Sequence, residues 1–263
     1  MKTPITIIFV IVSILEFTAQ HYTHDIGAFV GSTSLQTDYG QRGNFASDWN
    51  NNGTSFSVAH YLSFYNRTLR WDPNNVLHNH LMVKTEIQYL SNANLKHYGK
   101  WSKKNSYGGE QLRAMKGTLR MLDFGINLEY FLHPLEEYVY PYSDIWFNPF
   151  FTFGFKYSLY TNSLSSDLGD WNKDINVLPK KYTLKNALDI GSGEALSLSV
   201  GLGTRYKLAP KIDLVAQFTY QYFFSDTIDG LQAQVYENKN NEWLLNLQLG
   251  IVYHLNFNTP LFY

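Results

Sequence analysis

The 263-residue chain has no cysteine, and only 16% of its residues are charged, well under the usual quarter. Without cysteine there is no disulfide framework, no thiolate metal site and no cysteine nucleophile. No excess of either charge exists: the formal net of −1 gives no support to a nucleic-acid or other polyanion binder. Runs of about 20 apolar residues are missing apart from one short N-terminal stretch, which excludes a helical membrane protein. What abounds is aromatic side chain, with 20 Tyr, 18 Phe and 6 Trp making up 17% of the chain. So much aromatic surface argues against disorder. Yet hydrophobic content of 44% coexists with a slightly negative mean hydropathy. A β-rich body of one domain satisfies all of this.

Residues 1–19 are expected to be a secretory signal peptide. Lys2 supplies the positive charge, Ile5 to Leu15 are apolar apart from Thr6 and Ser13, and Ala19 offers a small residue for cleavage. The mature domain then spans 20–263. An exported chain without cysteine fits a bacterial envelope better than a eukaryotic extracellular space.

Beyond residue 20, apolar and polar residues alternate with a period of two, segment after segment. Leu122, Phe124, Ile126, Leu128 and Tyr130 share one face, against Asp123, Gly125, Asn127 and Glu129. Phe151, Phe153, Phe155, Tyr157 and Leu159 oppose Thr152, Gly154, Lys156 and Ser158. Segments 81–89, 195–208, 211–224 and 243–257 obey the same rule, and less tidy strands fall at 22–31 and 54–65. That makes eight strands, several longer than the five or six residues common in globular sheets. A tilted membrane strand needs about 9–11 residues.

The two faces decide where the barrel sits. A soluble barrel turns its apolar face inward. Here the polar face is small and sparsely charged, which suits a narrow lumen, and the continuous Leu/Phe/Tyr face suits lipid. The connections alternate in length: 31–53, 91–115, 160–193 and 225–242 are long, whereas 66–79, 133–144 and 209–210 are short. Long loops on one side and short turns on the other are the outer-membrane arrangement. The expected fold is all-β, an eight-stranded antiparallel up-and-down transmembrane barrel, with both termini periplasmic.

The opening His24-Asp25-Ile26-Gly27-Ala28-Phe29-Val30-Gly31-Ser32, the segment Asp38–Phe45 and the run Ser57–Asn66 followed by Arg67-Thr68-Leu69-Arg70 resemble PorG-like outer-membrane barrels of the Bacteroidota, flavobacterial branch. The resemblance covers about 22–90. It implies association with the type IX secretion and gliding apparatus, where a periplasmic lipoprotein ring is a partner. Asp48-Trp49-Asn50-Asn51-Asn52-Gly53 and the loop at 91–115 do not map onto that family.

Chemistry candidates are few. Gly191-Ser192-Gly193 and Gly201-Leu202-Gly203 do not complete a dinucleotide fingerprint and make room in a lumen instead. His78 and His80 near Asp72 have ligand-like spacing, but solvated turn residues are the simpler reading. His60 and Ser63 could suggest a lipid hydrolase, except that alternation puts them on opposite faces. Lys84, Glu86, Asp123, Glu129, Lys156, Arg205 and Asp213 all fall on the inner face and are expected to form a structural ion-pair network, proton or ion conduction being the alternative. Lys96, Lys100, Trp101, Lys103, Lys104 and Arg113, beside His97, Tyr98 and Tyr107, form a basic-aromatic loop cluster able to meet lipopolysaccharide phosphates or a partner. The expectation is therefore a non-enzymatic barrel without cofactor or metal, in contact with outer-membrane lipid. It would serve as a structural or accessory piece of an envelope machine. A stand-alone barrel binding through its loops, and a lipid-modifying enzyme, are the alternatives.

Overall fold

The computed structural model describes residues 23–39, 50–64, 76–139, 143–233 and 241–255. The expected signal segment, Asp72 and the C-terminal tail lie outside them. Eight strands follow in order: β1 Thr23–Gln36, β2 Asn52–Ser63, β3 Leu81–Lys96, β4 Met115–Phe131, β5 Phe147–Ser166, β6 Ser192–Ala209, β7 Ile212–Phe223 and β8 Trp243–His254. Each pairs antiparallel with the next, and β8 closes on β1. Among the described residues three short α-helices lie in the connections: α1 Val76–His80, α2 Tyr107–Ala114 and α3 Leu135–Val139. Among the described residues no helix is long and apolar enough to cross a membrane.

Register fixes the geometry of the barrel. The pairing row from Asp25 through Tyr61, Lys84, Asn127, Gly154, Ser199, Gln221 and Leu244 returns to β1 at Leu35. The row has climbed from 25 to 35, a shear of ten residues. With strands about 4.8 Å apart and a rise of about 3.3 Å per residue, that shear tilts them by about 40°.

Alternation then assigns every strand residue to lumen or lipid. Phe151, Phe153, Phe155, Ile126 and Leu249 all face outward, Ile126 being 65% exposed. In water such a continuous apolar surface would drive aggregation; in a bilayer it is the contact surface. The 20 residues of β5, tilted by about 40°, stand about 50 Å tall, roughly twice the apolar band of about 25 Å. The excess projects on the long-loop side. There the outward face changes from Leu122 to Arg120 on β4 and from Leu159 to Thr161 on β5, and Arg120 pairs with Thr161.

Two sequence expectations need correcting. The third connection, expected at 91–115, is shorter, because β3 runs on to Lys96 and β4 starts at Met115. The added pairs lie beyond the bilayer and are held by what they enclose. The inner face is also not polar throughout. Above its polar centre, Leu35, Leu90, Leu95, Met115, Leu119, Met121, Phe223 and Leu244 join Tyr39, Leu178, Tyr182, Ile228 and Leu231 from the loops in one buried cluster. At the periplasmic end, Phe29, Tyr61, Met82, Phe131, Leu135, Phe150, Val215 and Val252 form a second. Inward apolar residues at both strand ends stop the lumen against water, which a purely polar filling would not do.

Candidate functional site

The lumen holds the charged residues in two layers. In the upper one, Glu86 lies between Lys84 and Lys156: Lys84 Nζ is 3.2 Å from Glu86 Oε1, and Lys156 Nζ is 3.6 Å from Oε2. Ser57 donates its hydroxyl to Glu86 at 2.8 Å. Lys84 also donates to Gln217, and Lys156 to Gln88. The chain of bonds continues from Gln217 to Gln248 and from Gln248 to Ser57. Asp123 joins through Gln221, which also donates to Ser197.

The lower layer is centred on Arg205, a fully buried guanidinium. Its Nη1 is 3.3 Å from Asp25 Oδ2 and 3.9 Å from Asp213 Oδ2, and its Nη2 is 3.6 Å from Glu129 Oε2. The ring of Tyr61 lies 4.3 Å from its Cζ, a cation–π contact. His254 bridges two of the acids, with Nδ1 2.9 Å from Asp25 and Nε2 3.2 Å from Asp213. Such pairs offset a heavy desolvation cost. They close and order the interior, where Glu86, Lys84, Lys156, Asp123, Glu129, Asp25, Arg205 and Asp213 are all buried.

Glycine supplies the room. A Cβ on Gly203 would come within 2.4 Å of the Phe150 ring, and one on Gly117 within 2.6 Å of the Tyr39 ring. Gly201 is likewise crowded by Thr152 and Thr219, so the glycine pairs of β6 serve packing. Gly191 turns the chain into β6 with φ of +146°, a conformation that favours glycine.

A folded cap covers the mouth. Tyr39, from the first loop, accepts the Tyr98 N–H on its carbonyl at 3.1 Å, and its ring lies 4.8 Å from that of His97. His97 in turn lies 6.0 Å from Tyr182 of the third loop. Burial, with the charge of Lys181 added, drops the His97 imidazole to about 3. Asp229 accepts the backbone N–H of Asp38 at 2.9 Å and that of Leu231 at 2.8 Å. Glu242 accepts those of Ile228 and Asp229. Burial raises both carboxyls, Asp229 to about 6, and the charge of Asp229 raises Glu242 further. On the periplasmic side, burial first and then the charge of Asp213 push the Tyr138 phenol up.

Of the basic-aromatic cluster, the structure keeps Lys100, Trp101, Lys103 and Lys104 together on one turn and sets Lys96 and Arg113 apart from them. Lys104 Nζ sits 3.7 Å over the exposed Trp101 ring, and Lys100 Nζ is 5.5 Å from it. Lys103 is exposed on the same turn. Arg113, on α2, is a tie within the loop, donating to the Ser102 and Lys104 carbonyls. Lys96 belongs to the barrel wall, not to the loop. His97 is buried beneath the cluster and does not join it.

His60 faces outward, its Nε2 3.0 Å from His24 Nδ1, while Ser63 is buried on the inner face. His80 bonds the Phe131 carbonyl at 2.7 Å and stacks on Tyr130. Among the described residues no group of three or more His, Asp or Glu is arranged to hold a metal. Sequence reasoning missed Asp25 as an Arg205 partner, because β1 alternates poorly. It also missed the buried carboxylates Asp229 and Glu242, which lie in or beside a loop without periodicity.

No protein-family profile matches the chain, and no curated protein matches it. Among solved structures, Neisserial surface protein A is similar at 15% identity and a TM-score of 0.42, over 88% of this chain and 96% of its own. The attachment invasion locus protein Ail of Yersinia pestis is similar at 11% identity and 0.41, over 90% and 100%. A major outer membrane protein of Thermus thermophilus is similar at 16% identity and 0.44, over 87% and 99%. Nothing about the activities of those proteins carries over at such values. The closed barrel, its lipid-facing belt and its long and short connections make this chain an integral eight-stranded β-barrel of the bacterial outer membrane.

Proposed function

We propose that the protein is a non-enzymatic structural or accessory component of an envelope assembly, the type IX secretion and gliding apparatus being the one that the PorG-like resemblance names. The observation that supports this best is the filled lumen. Ion pairs occupy its centre and buried apolar clusters lie at either end, so the barrel works through its two ends. At the periplasmic end, Val76 and Leu77 of α1 and, beside the end of β6, Trp146 are exposed, apolar side chains that suit a lipoprotein partner. Neither cofactor nor metal enters this reading. A pull-down from native outer membrane should recover a periplasmic lipoprotein ring, and deletion of the gene should block protein export. Normal export in the deletion strain would sink the secretion role.

The second reading is a stand-alone barrel that binds surfaces through its loops. It is favoured by Trp101, exposed and flanked by Lys100 and Lys104. Recovery of the barrel with lipid alone would select it. A lipid-modifying enzyme stands third, because His60 and Ser63 on opposite faces of β2 supply no nucleophile–base pair. Unchanged lipid A and phospholipid mass spectra in the deletion strain would remove it.

A further inference from the structure

Lys96 and Lys116 are direct cross-strand partners at the top of β3 and β4. The register shift between Asn92 and Leu95 leaves Leu95 buried and turns Lys96 outward. Two like charges directly opposite destabilise a strand pair, and an anion between them would reverse that. Lys116 has a partial answer in Asp167, 2.7 Å away on an exposed pair. Lys96 and Arg120 have no ion-pair partner among the described residues.

Arg120 lies two outward positions below Lys116 on the same strand, about 13 Å along it. Its cross-strand neighbours are Ser91 and Thr161. Between the two cations sits Thr118, whose hydroxyl is 2.6 Å from that of Ser163. Immediately below Arg120 the surface turns apolar at Leu122, flanked by Tyr89 and Leu159. Cations and hydroxyls thus stand directly on the upper edge of the lipid belt. The nearby Glu194 carboxylate is engaged by the Tyr157 hydroxyl.

We propose that this outward face of β3, β4 and β5 binds the phosphorylated head group of an outer-leaflet glycolipid, anchored by Arg120 with Lys96 and Lys116 above it. Arginine is the side chain best matched to phosphate, through paired N–H donors. The hydroxyls complete the coordination of a phosphate oxygen, and acyl chains descend along Tyr89, Leu122 and Leu159. Cations at two heights suit a head group with more than one anionic group, where a simple phosphodiester would reach only Arg120. The site lies on the barrel wall and is independent of any partner at the barrel ends.

The test uses the full protein in phosphatidylcholine nanodiscs doped with diphosphorylated lipid A, with retained lipid counted by native mass spectrometry. Wild type should hold about one diphosphorylated lipid A per barrel and at least about tenfold less of the enzymatically dephosphorylated form. K96Q/R120Q should lose that preference at least about tenfold, while R120K should lose less and K185Q, exposed in the loop between β5 and β6, nothing. Heat-modifiable migration on gels checks that each variant is folded. Should K96Q/R120Q not fold, the comparison of the two lipids on wild type still decides. Equal retention of both lipids, unchanged retention in folded K96Q/R120Q, or full displacement by millimolar inorganic phosphate would each overturn the proposal.

Discussion

Arg205 of β6 and Asp25 of β1 are 180 residues apart in the chain and 3.3 Å apart across the lumen. With Asp213, Glu129 and His254 they form the charged lower layer of the barrel.

Replacing Arg205 by Met leaves three carboxylates buried with their shared cation gone. Loss of one partner from a buried charge cluster costs about 3–5 kcal/mol. The urea midpoint for unfolding from lipid vesicles should fall accordingly. A loss below about 1 kcal/mol would mean that the pairs contribute little and that the apolar clusters alone hold the periplasmic end.

The Gly117 site tests whether the cap is seated from within the barrel. G117A places a methyl group against the Tyr39 ring and should expel the first loop while the barrel stays folded. Protease cleavage near Tyr39 should then rise by about tenfold or more, with heat-modifiable migration retained. Y39A/G117A should restore barrel stability toward that of Y39A alone. Protection unchanged in G117A would show that Tyr39 is held by its loop contacts and not by the lumen.

Acid should tighten the contact between the fourth and first loops. The Asp229 and Glu242 carboxyls lie above their ordinary values in the folded cap, so the folded form binds protons that the open form releases. Their stabilising contribution is present below about pH 4 and is lost as pH rises through about 6. Hydrogen-exchange protection of the Ile228 and Asp229 amides should therefore be higher at pH 5 than at pH 8, and E242Q should flatten that difference. Protection that rises with pH would contradict the burial of these carboxyls.

His97 acts with the opposite sign. Its value in the folded state is about 3 against about 6.5 when free. Its contribution is therefore present above about pH 6.5 and is lost as pH falls toward 3. Protection of the Tyr98 amide, bonded to Tyr39, should drop on acidification in the wild type. In H97F, which keeps the ring buried without a titrating group, the drop should vanish.

The lipid-facing half of the fold was legible because a bilayer demands an apolar side chain at every second position of a spanning strand. Phe151, Phe153 and Phe155 declare their face with no knowledge of a neighbour. The same parity placed Lys84, Glu86, Asp123, Glu129, Lys156, Arg205 and Asp213 inside. It was silent on which of them meet. The grouping of Glu86 with two lysines, and of Arg205 with Asp25, depends on a shear of ten residues that eight separate registers set jointly.

The cap was illegible for another reason. Tyr39, Leu178, Tyr182, Ile228 and Leu231 stand singly in polar loops with no period to link them, and only the strands projecting above the bilayer gather them. Lys96 shows how fine the decision is. One register irregularity after Asn92 moves it from an expected loop to the outer wall beside Lys116.

The strand count, the two faces of each strand and the side on which the long loops lie could be read from the chain alone, since these follow from the solvent that each residue must meet. Only the closed barrel settles that the lumen is filled, which charges pair within it and which cations stand above the lipid belt. Those outcomes rest on contacts between residues far apart in the chain, set by register and tilt and by no local pattern.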